Sequence, residues 1–480
     1  MTTPEPDVLD TARAGRLMIR GGAIRSAGYV AGVLLALISA PLLVRHLGIV
    51  DFGSWVTITA LVFVVNGLTD LGLTTVGLKE YSVRDAAGRA ALIRDLVTVR
   101  SIATVIGAVA AVAFSAAAGY GETLVLGTAI ASLSLVLNAL QTAYATPLHA
   151  ELRLGWVTVV DLTRQVATVA FIVVLVLAGA ELLAFFAVPT LAALIALVLS
   201  IVLVRGEIPL LPTLHLHRAW GLVRETLPFA AATALGVVYF RVEIILMSLI
   251  APDDETGHFG VAFRVVEIAS GIPWLLVSSA FPILARAARD DESRLRYALA
   301  RLFDGSIIAG VVMALAFGFG AAFAVQVLGG EDPSVSALQV LGVALLATFL
   351  VATWAYALLS LTRYRALLVS NAAALLIGVA LTFALVPDHG ALGAAIAVTA
   401  TEAALAFMYF IALVRARPEL APPLRILGPV AVGVLVAVVP FVILDLPSVL
   451  EGAIAPALFI GALAVLRAVP SELVEAVKGR

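Results

Sequence analysis

Apolar runs separated by short charged stretches recur along the whole chain. A bilayer core of about 30 Å is crossed by roughly 20 apolar residues in helical form. Runs of that length can be read fourteen times, near 22–44, 52–78, 95–118, 123–147, 157–179, 182–204, 227–250, 257–285, 302–328, 335–361, 366–386, 391–414, 426–444 and 449–467. The pattern predicts an all-α polytopic membrane protein with fourteen transmembrane helices and no room for a sizeable soluble domain. Prolines at 41, 147, 189, 228, 273 and 282 offer places where helices bend or break.

The basic residues then orient the spans. With the N-terminus inside, Lys79, Arg84, Arg89 and Arg94 share one inner loop, and Arg205, Arg218 and Arg224 share another. Arg286, Arg289, Arg294, Arg296 and Arg301 fall in a third, with Arg153, Arg363, Arg365, Arg415, Arg417 and Arg425 in the other inner loops. Arg100 stands at the start of a span on the same side. The outer loops are short and acidic, as at Asp253-Asp254-Glu255 and Glu331-Asp332, and Arg45 is the one basic residue among them. Cytoplasmic loops carry the excess of Lys and Arg, so both termini are expected in the cytoplasm. No cleavable signal pattern follows Arg13, Arg16 and Arg20, and the first span is expected to stay in the chain.

The chain also repeats weakly. A shift of 210 residues lays Arg153 on Arg363, Tyr144 on Trp354, Asp161 on Asn371 and Leu203-Val204-Arg205 on Leu413-Val414-Arg415. A shift of 207 lays Phe52-Gly53 on Phe259-Gly260 and Lys79 on Arg286. Two six-span lobes in parallel repeat follow, with substrate expected between them as in some secondary transporters. The expected limits are 1–20 for a cytoplasmic lead, 21–215 for the N-lobe, 216–418 for the C-lobe, and 419–480 for two added spans and a tail.

Composition narrows the chemistry. Of 480 residues, 62% are hydrophobic and 13% charged, with no cysteine, and mean hydropathy is +1.09. That excludes disulfides, thiolate metal sites and cysteine nucleophiles. There is no phosphate-binding G-x-x-x-x-G-K-[ST], no G-x-S-x-G, no H-E-x-x-H and no G-x-G-x-x-G. The expectation is a transporter rather than an enzyme, with no ATP, nucleic acid, metal or cofactor. The one close histidine pair, His215 and His217, reads as part of a solvated loop.

The informative residues are charges inside spans, each of which costs roughly 2.5–3.5 kcal/mol at bilayer depth and so faces a bundle interior or a watery cavity. Arg241 and Glu243 sit in span 7, two apart, and project to different sides. They line a transport pathway, or they lock helices together as ion pairs. Asp161 with Arg164, and Arg264 with Glu267, are i,i+3 pairs suited to mutual neutralisation or to a cavity wall. Arg25 has no acid in its own span and shares a face with Gly28, Gly32 and Ala36, a stripe of small residues fit for close packing or an open wall. Arg25 and Arg241 head the two halves, which makes a central anion site an expectation, because arginine forks hold phosphate oxygens. Asp70, Glu243 and Glu402 either carry a coupling proton or sodium ion or serve as partners for the arginines.

Several stretches resemble the polysaccharide (O-antigen) flippase branch of the multidrug/oligosaccharidyl-lipid/polysaccharide exporter superfamily. They are Arg45-His46-Leu47-Gly48 with Asp51-Phe52-Gly53, Asp70-Leu71-Gly72-Leu73 before Lys79-Glu80, and Leu227-Pro228-Phe229 with Tyr239-Phe240-Arg241-Val242-Glu243. The last is Pro387-x-x-Gly390-x-x-Gly393-Ala394-Ala395. Glu243 stands where Asp is common in that family. The resemblance implies a flippase moving a polyprenyl-diphosphate oligosaccharide from the inner to the outer leaflet of a bacterial cytoplasmic membrane, by alternating access of two lobes. The diphosphate would suit Arg25, Arg241 and Arg264, and polysaccharide polymerases and glycosyltransferases would be partners. A cation-coupled multidrug antiporter and a lipid II flippase share the fold and remain the alternatives. A membrane glycosyltransferase or polymerase is disfavoured by the short outer loops.

Overall fold

The computed structural model describes residues 13–206, 234–239, 241–444 and 446–469. The start of span 7 at Leu227-Pro228-Phe229, Phe240, the pair His215 and His217, the expected lobe limit at 215, Arg218, Arg224, Lys478 and Arg480 lie outside those residues. Every element is helical, with no β-strand among the described residues. Eleven helices among them are long and apolar enough to cross a membrane, and the chain is a multi-pass membrane protein.

Two of the helices are too long for one crossing. Helix α1 (Arg13–Asp70) has 58 residues, about 87 Å at the helical rise and nearly three bilayer cores. It is two spans meeting at Gly48, whose backbone (φ 77°, ψ 174°) is open to glycine alone. The 53-residue helix α12 (Tyr364–Ala416) likewise joins two spans at Gly390 (φ 51°, ψ −129°). Both bends fall in the motifs Arg45-His46-Leu47-Gly48 and Pro387-x-x-Gly390. At the second, the Glu255 carboxylate accepts the Ala391 backbone N–H at 2.6 Å.

The chain divides into two compact units, Met1–Arg241 and Val242–Arg480. In the first, α2 (Leu73–Val83) continues span 2 after a break, followed by α3 (Ala86–Ala117), α4 (Glu122–Ala150), α5 (Leu154–Leu177), the single turn α6 (Leu182–Phe185) and α7 (Val188–Leu203). Helix α1 packs on α5, α3 on α4, and α4 on α7. Helix α8 (241–250) begins at the last residue of the first unit and runs into the second, which holds α9 (Asp253–Asp290), α10 (Glu292–Leu328), α11 (Asp332–Ser360) and α12, then α13 (Leu427–Ile443) and α14 (Ser448–Val465). Helix α11 packs on α9, α10 and α12. Helix α14 docks on α10 where Gly320 and Gly452 bring the two backbones together, the close approach that small residues permit between membrane helices.

The repeat is visible bond by bond. After α4, Leu152 takes a left-handed φ of 56°, and Arg153 N–H bonds Leu148 O at 2.9 Å. After α11, Thr362 takes φ 55°, and Arg363 N–H bonds Leu358 O at 2.9 Å. A shift of 210 residues for the acceptor and 209 for the donor relates the Thr190 hydroxyl on Ile130 O (2.8 Å) to the Thr399 hydroxyl on Val340 O (3.1 Å). The starts of α3 and α10 match too. Asp85 caps the Gly88 N–H at 2.9 Å and Asp291 the Arg294 N–H at 3.0 Å.

Candidate functional site

Span 2 does not run through. Helix α1 stops at Asp70, Leu71 and Gly72 both take left-handed backbone (φ 51° and 67°), and α2 restarts at Leu73. A left-handed residue other than glycine is disfavoured, and the break is held by side chains. Arg100 of α3 reaches Asp70 Oδ1 with Nη1 at 3.0 Å and donates from Nη2 to the Thr74 hydroxyl oxygen at 2.8 Å. Thr74 in turn donates to Asp70 Oδ1 at 2.5 Å. The Arg100 side chain is 5% exposed and Asp70 31%. Arg100, which its position in the sequence assigns to the inner edge of span 3, is instead a buried ion-pair partner, because α3 begins at Ala86 and carries it into the bundle.

Beside this network lies an open cavity of about 410 Å³, lined by residues of α1, α3, α4, α5 and α7. Its wall carries Asp70 and Arg100 together with Arg164, Asn66, Asn138 and several threonines, with Phe63 as an aromatic face. Arg164 donates to Asn138 Oδ1 at 3.4 Å and stands 3.7 Å from Asp161, so the i,i+3 pair is present, loose and half exposed. Arg241 is buried with its guanidinium 4.8 Å from the centre of the Phe63 ring, a cation–π contact.

Arg25 is exposed on α1. The stripe next to Arg25 resolves as close packing. Gly28 lies against Thr158 and Gly32 against Gln165, both on α5.

In the second unit Arg264 and Glu267 form the expected pair at 2.9 Å, with both side chains mostly covered. Glu243 and Glu402 are both buried. A Cβ on Gly378 would stand 3.1 Å from Glu243 Oε1 and 3.3 Å from the Thr401 hydroxyl, and Thr348 donates to Glu402 Oε2 at 3.2 Å. Glu402 on α12 thus accepts a hydroxyl from α11, and Glu243 on α8 lies against Gly378 of the same helix α12. Sequence reasoning missed Arg100, and it missed Asp304, buried on α10 and 3.4 Å from Arg301. Both follow a cluster of loop charges, and the one available signal was their spacing into an apolar run.

Comparison with known proteins places this geometry. The profile of the polysaccharide biosynthesis protein family matches residues 18–288. Among curated proteins no sequence matches. Among solved structures, the lipid II flippase MurJ in an inward closed conformation is similar with a TM-score of 0.77 at 10% identity, over 93% of this chain and 98% of that one. An inward-facing multidrug resistance MATE family transporter of the MOP superfamily gives 0.60 at 11% identity, over 82% and 93%. A MOP superfamily transporter from Pyrococcus furiosus gives 0.54 at 13%, over 86% and 96%. At such identities the likeness is one of fold, and it bears out the exporter fold expected from the spans and the repeat.

Proposed function

The chain belongs to the polysaccharide biosynthesis protein family, and on that premise we propose that it is a flippase. It carries a lipid-linked oligosaccharide, a polyprenyl-diphosphate glycan, from the cytoplasmic to the outer leaflet of a bacterial cytoplasmic membrane. One observation carries the reading: a polysaccharide-family chain built of membrane helices keeps a polar cavity and arginines inside them. Such groups are costly at bilayer depth and mark pathways. The similarity in fold to a lipid II flippase and to MATE transporters supports transport over bond-making.

In this reading the chain works by alternating access without ATP, both termini are cytoplasmic, and glycosyltransferases and a polymerase act before and after it. Arg25, Arg241 and Arg264 are the candidates for the diphosphate. Arg264 is neutralised by Glu267, and Asp70 by Arg100. Glu243 and Glu402, both buried, are then the groups to carry a coupling proton or sodium ion.

Deleting the gene and identifying the lipid-linked molecules of the inner leaflet tests the class. A complete, unexported polyprenyl-diphosphate oligosaccharide is expected to accumulate. An unchanged pool with altered sensitivity to cationic drugs would replace the flippase by an antiporter. Arg25→Ala and Arg241→Ala are expected to abolish surface glycan with partial rescue by Lys, and normal glycan in all four variants would remove the diphosphate site.

A further inference from the structure

We propose that the cavity inside the first unit is a sugar-binding site, which holds a ring of the glycan while its diphosphate is held elsewhere. The inference rests on the flippase reading and assigns the cavity a part of the substrate.

The charge of the cavity wall is the first argument. Arg100 is matched by Asp70 at 3.0 Å, and Arg164 faces Asp161 at 3.7 Å. A diphosphate would find one cation clasped and the other facing a loosely paired acid, and a metal ion or proton would find one acid already held by an arginine and a threonine. What the wall offers is nearly neutral and densely polar, which suits a polyhydroxylated ring.

The hydrogen-bond inventory is the second. The hydroxyls of Thr59, Thr104 and Thr142 each donate to a carbonyl of their own helix, Thr59 to Trp55 O (2.9 Å), Thr104 to Arg100 O (2.7 Å) and Thr142 to Asn138 O (2.8 Å). Their hydrogens are spent, and each oxygen keeps acceptor capacity. Asn138 is the reverse case. Its Oδ1 accepts from Arg164, which leaves its amide N–H groups to donate. A wall of acceptors with a few fixed donors fits a ligand whose hydroxyls each donate and accept.

Shape is the third. A volume of about 410 Å³ lies at the small end of ligand pockets, about 300–1,000 Å³, and cannot take a whole repeat unit with its lipid. Phe63 lines the cavity with Arg241 over its ring at 4.8 Å, and the rest of its surface, 44% exposed overall, is apolar. Polar groups in a membrane bundle need partners, and a sugar supplies them where a lipid tail does not.

The test uses the full-length protein in detergent. The probe is the free glycan released by mild acid from the lipid-linked pool of the deletion strain. Wild-type protein is expected to bind it, and Asn138→Leu or Thr142→Val to weaken binding at least tenfold while leaving binding of inorganic diphosphate unchanged. Asn66→Leu, on an exposed side chain, provides a variant whose folding is not in question and is expected to shift binding in the same direction. Wild-type affinity for the glycan in the variants would show a water-filled cavity and overturn the proposal while leaving the flippase intact. Loss of glycan and diphosphate binding together would overturn it as general damage. An absent lipid-linked pool would overturn the flippase reading, and the sugar site with it.

Discussion

The two units share a scaffold and both hold ion pairs, but they differ in the setting of particular buried acids. In the first, Asp70 is clasped by Arg100 and Thr74, and the network borders a polar cavity. In the second, the acids Glu243 and Glu402 are buried on α8 and α12, and the Thr348 hydroxyl donates to Glu402. Yet the turns at Leu152 and Thr362 match hydrogen bond for hydrogen bond. The copied part is the frame that spans the bilayer, and the diverged part is the interior. A charge locked by its opposite is architecture.

Arg100→Ala is the sharpest way to break that contrast. It strands Asp70 and releases the break in span 2. Removing one partner of a buried pair costs about 3–5 kcal/mol, here toward the lower end because Asp70 is 31% exposed. Thermal unfolding in detergent checks it, and Asp70→Ala combined with Arg100→Met is expected to recover much of the loss. Equal loss in the double variant would mean the pair is not the unit that matters.

The second unit should behave otherwise. Glu402→Gln keeps its volume and an oxygen for the Thr348 hydroxyl, so stability is expected to move by less than about 1.5 kcal/mol, the net worth of a hydrogen bond. Clearance of the lipid-linked pool should lose its dependence on the ion gradient. Pool measurements with and without an ionophore read this out, and intact gradient dependence in both Glu402→Gln and Glu243→Gln would make those acids structural.

The smallest effects concern what the units share. Asp85→Ala removes the cap of α3 and is expected to lower stability by about 1 kcal/mol. Asp291, its counterpart on α10, has its carboxyl held below the usual range by the Arg294 N–H and the Ser293 hydroxyl. Its stabilising effect is therefore present at neutral pH and fades as pH falls through that lowered value. Asp291→Ala should flatten the acid limb of a melting-temperature profile, and an unchanged profile would mean the cap contributes nothing there.

Much of the frame was legible in the sequence because length and charge sidedness dictate it. The bends at Gly48 and Gly390 were announced by glycines in recognisable turns, and the pairing of Arg264 with Glu267 by their spacing on one helical face. Pairings between helices were not legible. Nothing local tells Arg100 from the loop arginines before it, or ties Glu255 to a backbone N–H 136 residues away. The break after Asp70 was half visible, as Gly72 permits it, but Leu71 adopts a left-handed backbone only because the network around it holds the chain there.

That break has a consequence for how the protein is made. Helix α2 has 11 residues and carries Lys79 and Glu80, about 16 Å of helix, too short and too polar to enter a bilayer alone. Its Leu73 and Tyr81 belong to a cluster with Leu92, Ile93 and Leu96 of α3, Tyr144 and Leu148 of α4 and Val204 after α7. The ribosome delivers all of these later. The segment following Asp70 must therefore wait at the membrane surface during synthesis, and its place in the bundle is fixed only as later spans arrive to receive it.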